Sequence, residues 1–173
     1  MINLPVVEGR SCDGCTKCCE GYLKAEDIRG HEVTLGKPCF FVEIGKGCTD
    51  YDNRPDHPCK KFQCEWLIDK NIPENFKPSN SNVIFTKISE NGVEYTNVIE
   101  AGGKLDSEIL TWMIDDAITN DKNYSWNILG NMYWFGDDEF DEMMNFKFPQ
   151  TPAVDLNQLP KFETNFDLNF EDE

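Results

Sequence analysis

The residues with the clearest capacity for chemistry are eight cysteines, which all fall between Cys12 and Cys64. Four of them lie in the run CDGCTKCC, residues 12–19, and four are spread over residues 20–64. The remaining 109 residues, 65–173, contain no cysteine. Cysteine thiolates bind zinc and iron–sulfur clusters, and cysteines also pair as disulfides. The pattern therefore predicts either a metal centre or a set of crosslinks.

The rest of the chain favours metal over crosslinks. The first residues lack the pattern of a secretory signal, which is a basic segment followed by an apolar run and a small-residue cleavage site. The sequence also has no stretch of eighteen or more apolar residues. We therefore expect a soluble cytoplasmic protein, in which thiols stay reduced. The disulfide alternative stays open, because eight cysteines allow 105 pairings. Secreted scaffolds, however, spread their bridges along the whole chain.

The spacing of the cysteines suggests two groups. Cys12, Cys15 and Cys18 recur every third residue, which brings three sulfurs to one side of a tight turn. Cys18 and its neighbour Cys19 point about 100° apart on a helix and to opposite faces on a strand. We interpret this pair as a fork, with one branch completing the local site and the other reaching a second group. The second group consists of Cys39, Cys48, Cys59 and Cys64.

Charge and apolar content change at the end of the cysteine-rich segment. Residues 1–64 have 10 acidic and 9 basic residues, whereas residues 65–173 have 22 acidic and 7 basic. The acidic part should repel nucleic acid and anionic membranes. Apart from cysteine, residues 1–64 have only 17 apolar residues, against 43 in the remainder. Bound metal would supply the folding free energy that this segment lacks, roughly 10–16 kcal/mol for structural zinc.

These motifs resemble a known family. The run CDGCTKCC, a following PC with aromatic neighbours and GCTDYDNRPDHPCKKFQC together resemble the YkgJ-type cysteine-cluster family, which has a CxxCxxCC signature. The resemblance covers about residues 10–66 and includes all eight cysteines and the YxxRP element at Tyr51, Arg54 and Pro55. It implies chelation of zinc or iron, with iron–sulfur assignments common, and it implies no particular reaction.

Neither the motif nor the charge identifies the metal. Four thiolates carry a net charge of −2 around Zn²⁺ and also around a [4Fe–4S]²⁺ core. The first three cysteines match the CxxCxxC of bacterial ferredoxins, but Cys19 follows at once without the expected spacing and proline. His57 is a rival ligand, because Cys₃His sites are common for zinc. We predict that Tyr51, Arg54 and His57 lie near the ligands and support them.

The segments after Cys64 indicate ordinary mixed structure. The segment PCKKFQCEWLIDK predicts a short helix that buries Phe62, Trp66 and Leu67. NVIFTKIS and VEYTNVIEA predict two antiparallel strands around an Asn91–Gly92 type I′ turn. The segments SWNIL and MYWFG, on either side of GN, predict a second hairpin.

Two helices complete this region. DSEILTWMIDDAIT predicts an amphipathic helix, with Asp106 or Ser107 as its N-cap. DDEFDEMMNF predicts a short helix with acidic residues in its first turn. We interpret Asp115 and Asp116 as part of a solvated face, since no alternating calcium-loop pattern surrounds them.

The sequence thus predicts an α+β fold with three segments. A small loop-rich cysteine module, residues 1–66, packs on an antiparallel hairpin-plus-helix layer, residues 67–148. An acidic tail, residues 149–173, is expected to be extended or disordered, with phenylalanines every fourth residue that suit a protein partner.

Three functions remain open. The sequence is consistent with a metal-binding protein that holds zinc or an iron–sulfur cluster. It is also consistent with an iron–sulfur oxidoreductase or electron-transfer component, and with a zinc-structured interaction module. We assign no catalytic residue, because GxSxG, HExxH and a cysteine beside a histidine base are all missing from the sequence.

Overall fold

The computed structural model describes residues 5–149. Nearly all of the predicted acidic tail therefore lies outside the described residues. Within them the fold is a mixture of short helices and of antiparallel and mixed sheets, as the sequence predicts. No helix in residues 5–149 is long and apolar enough to cross a membrane.

The cysteine-rich segment contains only short elements. A 3₁₀ turn covers Lys17–Cys19, and two small antiparallel hairpins follow it. The first hairpin pairs β1 (Ala25–Ile28) with β2 (His31–Val33), and the second pairs β3 (Val42–Glu43) with β4 (Gly47–Cys48). Strands this short bury little apolar surface, so this region has few hydrophobic contacts of its own.

Four short helical segments connect these hairpins to the main sheet. A π-helical turn at Asp56–Lys60 is followed by helix α1, Glu65–Ile68. A 3₁₀ turn at Glu74–Phe76 then precedes helix α2, Pro78–Ser81. The lysine before Pro78 has extended backbone angles, as expected for a residue that precedes proline.

The predicted short helix after the prolines is confirmed only in part. Trp66 and Leu67 in α1 are buried in the main core, as predicted. Phe62 is exposed, however, because the chain leaves the π-helical turn before α1 begins. The prediction that Phe62 is buried was therefore wrong.

The central element is a four-stranded sheet built from two hairpins. The first hairpin pairs β5 (Val83–Glu90) with β6 (Val93–Glu100) in the predicted register around Asn91 and Gly92. Both turn residues have positive φ angles, 54° and 91°, which a type I′ turn requires. The first four residues of β5, Val83–Thr86, are buried in succession, as expected for a strand that is covered on both faces.

Helix α3, Ser107–Asn120, crosses from the first hairpin to the second. Asp106 is its N-cap and accepts a 2.9 Å hydrogen bond from the backbone N–H of Ile109. Ile109 and Met113 are buried on the predicted apolar face. The helix ends at Asp121, a residue with a left-handed backbone conformation.

The second hairpin consists of β7 (Tyr124–Ile128) and β8 (Asn131–Phe135). Its turn residues are Leu129 and Gly130, one position earlier than the predicted Gly130 and Asn131. After it, helix α4 covers Asp138–Lys147.

The two hairpins join in parallel, which the sequence analysis did not predict. The strand order is β5-β6-β7-β8, and β6 pairs with β7 in parallel, with Val98 opposite Trp126. The two predicted antiparallel hairpins are confirmed, and the parallel junction between them is a feature that the sequence did not indicate. A parallel pair needs a crossover connection, and α3 provides it.

The sheet carries a core on each side. The main core contains buried residues from α1, α3 and the sheet, including Trp66, Phe85, Met113 and Tyr124. A second, smaller core places Phe140 and other residues of α4 against β6 and β8. The acidic N-terminus of α4 is capped by Asp137, which accepts a 2.8 Å bond from a backbone N–H.

Asp116 lies inside the protein, so its predicted position on a solvated face was wrong. Its carboxylate accepts a 2.5 Å hydrogen bond from the Tyr124 hydroxyl and a 2.8 Å bond from the Asn120 amide. Lys122 Nζ lies 3.2 Å from the same carboxylate. These partners balance the buried charge, and the group has a structural role.

Candidate metal centre

The CDGCTKCC run is a series of tight turns. The N–H of Cys15 donates to the carbonyl of Cys12 at 2.9 Å, and the N–H of Cys19 donates to the carbonyl of Thr16 at 2.8 Å. These turns replace a regular helix and bring side chains three residues apart toward one side. The local fold thus follows the predicted tight turn.

The adjacent pair separates as the fork interpretation predicted. The Cys18 side chain packs against the main core, whose buried residues include Cys64. The Cys19 side chain packs against a small core made by Ile28, Val33 and Cys39. One peptide bond therefore joins residues that belong to two different apolar clusters.

Cys64 belongs to the first group, contrary to the prediction that placed it in the second. It is 5% exposed and directly precedes α1. Its sulfur accepts hydrogen bonds from the backbone N–H groups of Trp66 and Phe85, and Phe85 lies in β5. Because Trp66 and Phe85 are both core residues, Cys64 is held against the sheet and away from the loop that carries Cys59.

Cys12 and Cys15 are electrostatic neighbours of both Cys64 and Cys18, although Cys12 is also a neighbour of Cys19 and Cys19 is a neighbour of Cys18. Burial raises the pKa of Cys64 to about 12, and the thiols of Cys12 and Cys15 contribute to the rise. Burial also raises the pKa of Cys18 well above its ordinary value, with Cys64 as its strongest thiol neighbour. We name this set the inner cysteine group; its members are Cys12, Cys15, Cys18 and Cys64.

The second group gathers around Cys19. The backbone N–H of Cys39 donates to the Cys19 carbonyl at 2.8 Å, and Cys59 packs against the same small core. Cys48 in β4 lies opposite Val42, which also packs against that core. The pKa of Cys19 is raised to about 12, mainly by burial and by smaller amounts by the thiols of Cys39, Cys59 and Cys48. We name Cys19, Cys39, Cys48 and Cys59 the outer cysteine group.

Arg54 lies near both groups, and its support of bound metal stays a prediction. Its guanidinium stacks on the Tyr51 ring at 3.4 Å, and its Nε donates to the Tyr51 carbonyl at 2.9 Å. Its positive charge opposes the rise in the pKa of Cys12 and of Cys59, which belong to different groups. Tyr51 thus positions Arg54, while its own ring remains 58% exposed.

His57 is exposed on the π-helical turn, and the peptide bond to Pro58 is cis. The apolar and electrostatic contacts that relate the cysteines to one another do not involve His57. His57 is therefore a weaker ligand candidate than any of the eight cysteines.

Two basic residues near the inner group were missed by the sequence analysis. Lys77 Nζ donates to the carbonyl of Asp13 at 2.8 Å, lies 5.6 Å from the Trp66 ring centre, and opposes the rise in the pKa of Cys12. The guanidinium of Arg10 lies 5.0 Å from the Trp66 ring centre. Both residues come from outside the cysteine motif, and spacing alone does not distinguish them from surface cations.

Arg10 also fixes the start of the cysteine run to the rest of the protein. Its guanidinium donates to three backbone carbonyls, those of Trp66, Asp69 and Ile72, at 2.5, 2.8 and 2.5 Å. The last carbonyls of a helix such as α1 lack intrahelical partners. Arg10 supplies a partner to the Trp66 carbonyl of α1 and to two carbonyls just after the helix, and it holds the backbone before Cys12 close to the region of Cys64.

Thr16 and Gly21 fix the run to the outer hairpins. The Thr16 hydroxyl accepts a 3.0 Å bond from the N–H of Gly45 and donates at 2.6 Å to Glu20. Gly21 has a φ of +97°, and a Cβ added there would lie 2.2 Å from the carbonyl oxygen of Thr34. Only glycine permits this close approach.

The cysteines are free thiols with no disulfide among the described residues. As the side chains are placed, no three Cys, His, Asp or Glu residues between positions 5 and 149 have a geometry that could hold a metal ion. The grouping therefore describes thiols that are neighbours, and binding would require them to close around an ion. The donor set of four thiols in each group fits the ligand number of zinc and of a [4Fe–4S] cluster.

Comparisons of the chain with protein-family models, with curated proteins and with solved structures find no match. The resemblance to the cysteine-cluster family thus remains a prediction from the motif.

Proposed function

We propose that this protein binds metal at two four-cysteine sites. One site is the inner cysteine group and the other is the outer cysteine group. The observation that carries the proposal is the separation of Cys18 and Cys19 into two apolar clusters, the first with Cys64 and the second with Cys39 and Cys59. A single site would not require adjacent thiols to point into different clusters.

The chemistry of the surroundings supports the proposal. Clustered thiols that are mostly protonated in the metal-free protein become thiolates when an ion replaces their protons. The backbone N–H groups that donate to Cys64 would stabilise a bound thiolate, and Arg54 would offset part of the charge of both sites. These are the contacts that metal–thiolate centres need beyond their direct ligands.

The metal we propose is zinc or iron, the latter as an iron–sulfur cluster. Zinc would supply folding free energy without redox chemistry, whereas a cluster would also allow electron transfer. Eight unpaired cysteines fit a reducing compartment, and we propose a cytoplasmic location.

The test is anaerobic purification followed by elemental analysis and a visible spectrum of the same sample. We expect two zinc ions per chain in a colourless protein, or iron and sulfide in a brown one. Brown protein that takes up electrons would favour the electron-transfer alternative, and colourless zinc protein would exclude it.

Single variants test the division into groups. Cys18→Ser and Cys19→Ser should each remove about one of two equivalents, since each cysteine belongs to one site only. His57→Ala is the matched control and should retain both equivalents. Metal-free wild-type protein with a folded N-terminal region would contradict the proposal, as would full metal content in both serine variants.

A further inference from the structure

The two cysteine groups are attached to very different parts of the fold. Cys18 and Cys64 pack with the main core, which has fourteen buried residues. The outer cysteine group packs with a core of only three, Ile28, Val33 and Cys39. The free energy of local opening rises with the number of buried apolar contacts that opening breaks. The surroundings of the outer group should therefore open more easily.

Hydrogen bonding strengthens this difference. The Cys64 sulfur is bonded by an N–H of β5, the strand that pairs with β6 along all eight of its residues. Arg10 and Lys77 further connect the backbone around Cys12 to residues 66–72 and to the Trp66 ring. Although Cys12 itself is exposed, releasing an ion from the inner group requires Cys18 and Cys64 to leave the main core.

The outer group is held by much shorter elements. Cys48 lies in a two-residue strand, and Cys59 lies in a five-residue turn. The chain on either side of Cys48 exposes Phe40, Ile44 and Tyr51, which are 78%, 67% and 58% accessible. If residues 37–63 moved away from Cys19, the main core would stay intact. The losses would be the burial of Cys39 and a few hydrogen bonds, such as those from the Cys39 N–H to the Cys19 carbonyl and from the Gly45 N–H to Thr16.

On the basis of the proposed function, we propose that the outer cysteine group is the exchangeable metal site and that the inner group retains its metal as part of the folded core. Metal leaves the outer site through local opening of residues 37–63, while the sheet stays folded. Metal leaves the inner site only when the main core opens. The two sites thus differ in exchange rate although their ligands are chemically identical.

The test uses full-length protein loaded anaerobically with Zn²⁺ and mixed with an excess of a colorimetric chelator. We expect two phases of one equivalent each, with rates that differ at least tenfold. Cys39→Ser should lose the fast phase and keep the slow one. A single rate for both equivalents, or loss of the slow phase in Cys39→Ser, would overturn the inference while leaving two-site binding intact.

A second measurement avoids dependence on variants. Hydrogen–deuterium exchange of the wild-type protein, begun after the fast phase, should show faster exchange in residues 37–63 and unchanged protection in β5 and β6. Equal loss of protection in both regions would refute the inference. If the protein binds no Zn²⁺ and is also purified anaerobically without iron, the proposed function itself fails, so the two failures are distinguishable.

Discussion

Replacing Arg10 tests the energetic link between the cysteine run and the main core. Arg10→Ala removes three hydrogen bonds to the carbonyls of Trp66, Asp69 and Ile72 and the contact with the Trp66 ring. Hydrogen bonds from a charged group contribute about 1.5–3 kcal/mol each. Because the guanidinium is only half-buried and water can replace part of these bonds, we expect a total loss of roughly 2–4 kcal/mol.

The assay is urea unfolding of the metal-loaded protein, followed by tryptophan fluorescence and circular dichroism. Arg10→Lys should lose less than Arg10→Ala, because an ammonium can still donate to some of the carbonyls. Lys24→Ala is the control, since Lys24 pairs with Glu26 at the exposed surface and its loss should leave the stability essentially unchanged. A loss below about 1 kcal/mol for Arg10→Ala, or identical losses for both Arg10 variants, would refute the reasoning.

Three further predictions concern the main core, the titration of Tyr95 and the close backbone contact at Gly21. Met113→Ala should destabilise the protein by about 2–5 kcal/mol in thermal or urea unfolding, because Met113 is fully buried. Ile118 is exposed, so Ile118→Ala should change the free energy of unfolding by less than about 0.5 kcal/mol. Equal effects would contradict the assigned core. Burial and Glu90 raise the pKa of Tyr95 to about 12, so the stability that the neutral phenol contributes is complete below about pH 10 and is lost as the pH rises toward 12. The free energy of unfolding of the wild type should therefore fall more than that of Tyr95→Phe between about pH 9 and 11.5. Parallel curves would argue against this. Gly21→Ala should cost at least about 2 kcal/mol and weaken zinc binding in a competition titration, and an unchanged affinity would show that the close backbone contact is dispensable.

Local patterns predicted the elements well. The Asn91–Gly92 turn between alternating strands determines its hairpin, because both residues tolerate positive φ. Asp106 caps α3, as the helix-start signal predicted. Asp137 caps α4, next to the acidic first turn that was predicted for that helix. These features depend on a few adjacent residues, and the sequence displays them directly.

Long-range features were not predictable in the same way. The spacing of four residues between Cys59 and Cys64 suggested one group, but burial of Trp66 draws Cys64 into the main core. The hydrogen bonds of Arg10 join residues more than fifty positions apart, and no local pattern marks them. The division of Cys18 from Cys19 was predictable, since adjacent side chains diverge in any regular backbone.

The parallel contact between β6 and β7 makes the two hairpins depend on each other. Cutting the chain on either side of α3 would leave one fragment ending in β6 and another starting at β7, each with a row of unsatisfied backbone donors and acceptors. Such a row is a template for self-association. Fragments divided within residues 101–123 should therefore aggregate, and the sheet should be soluble only when it is made in one piece.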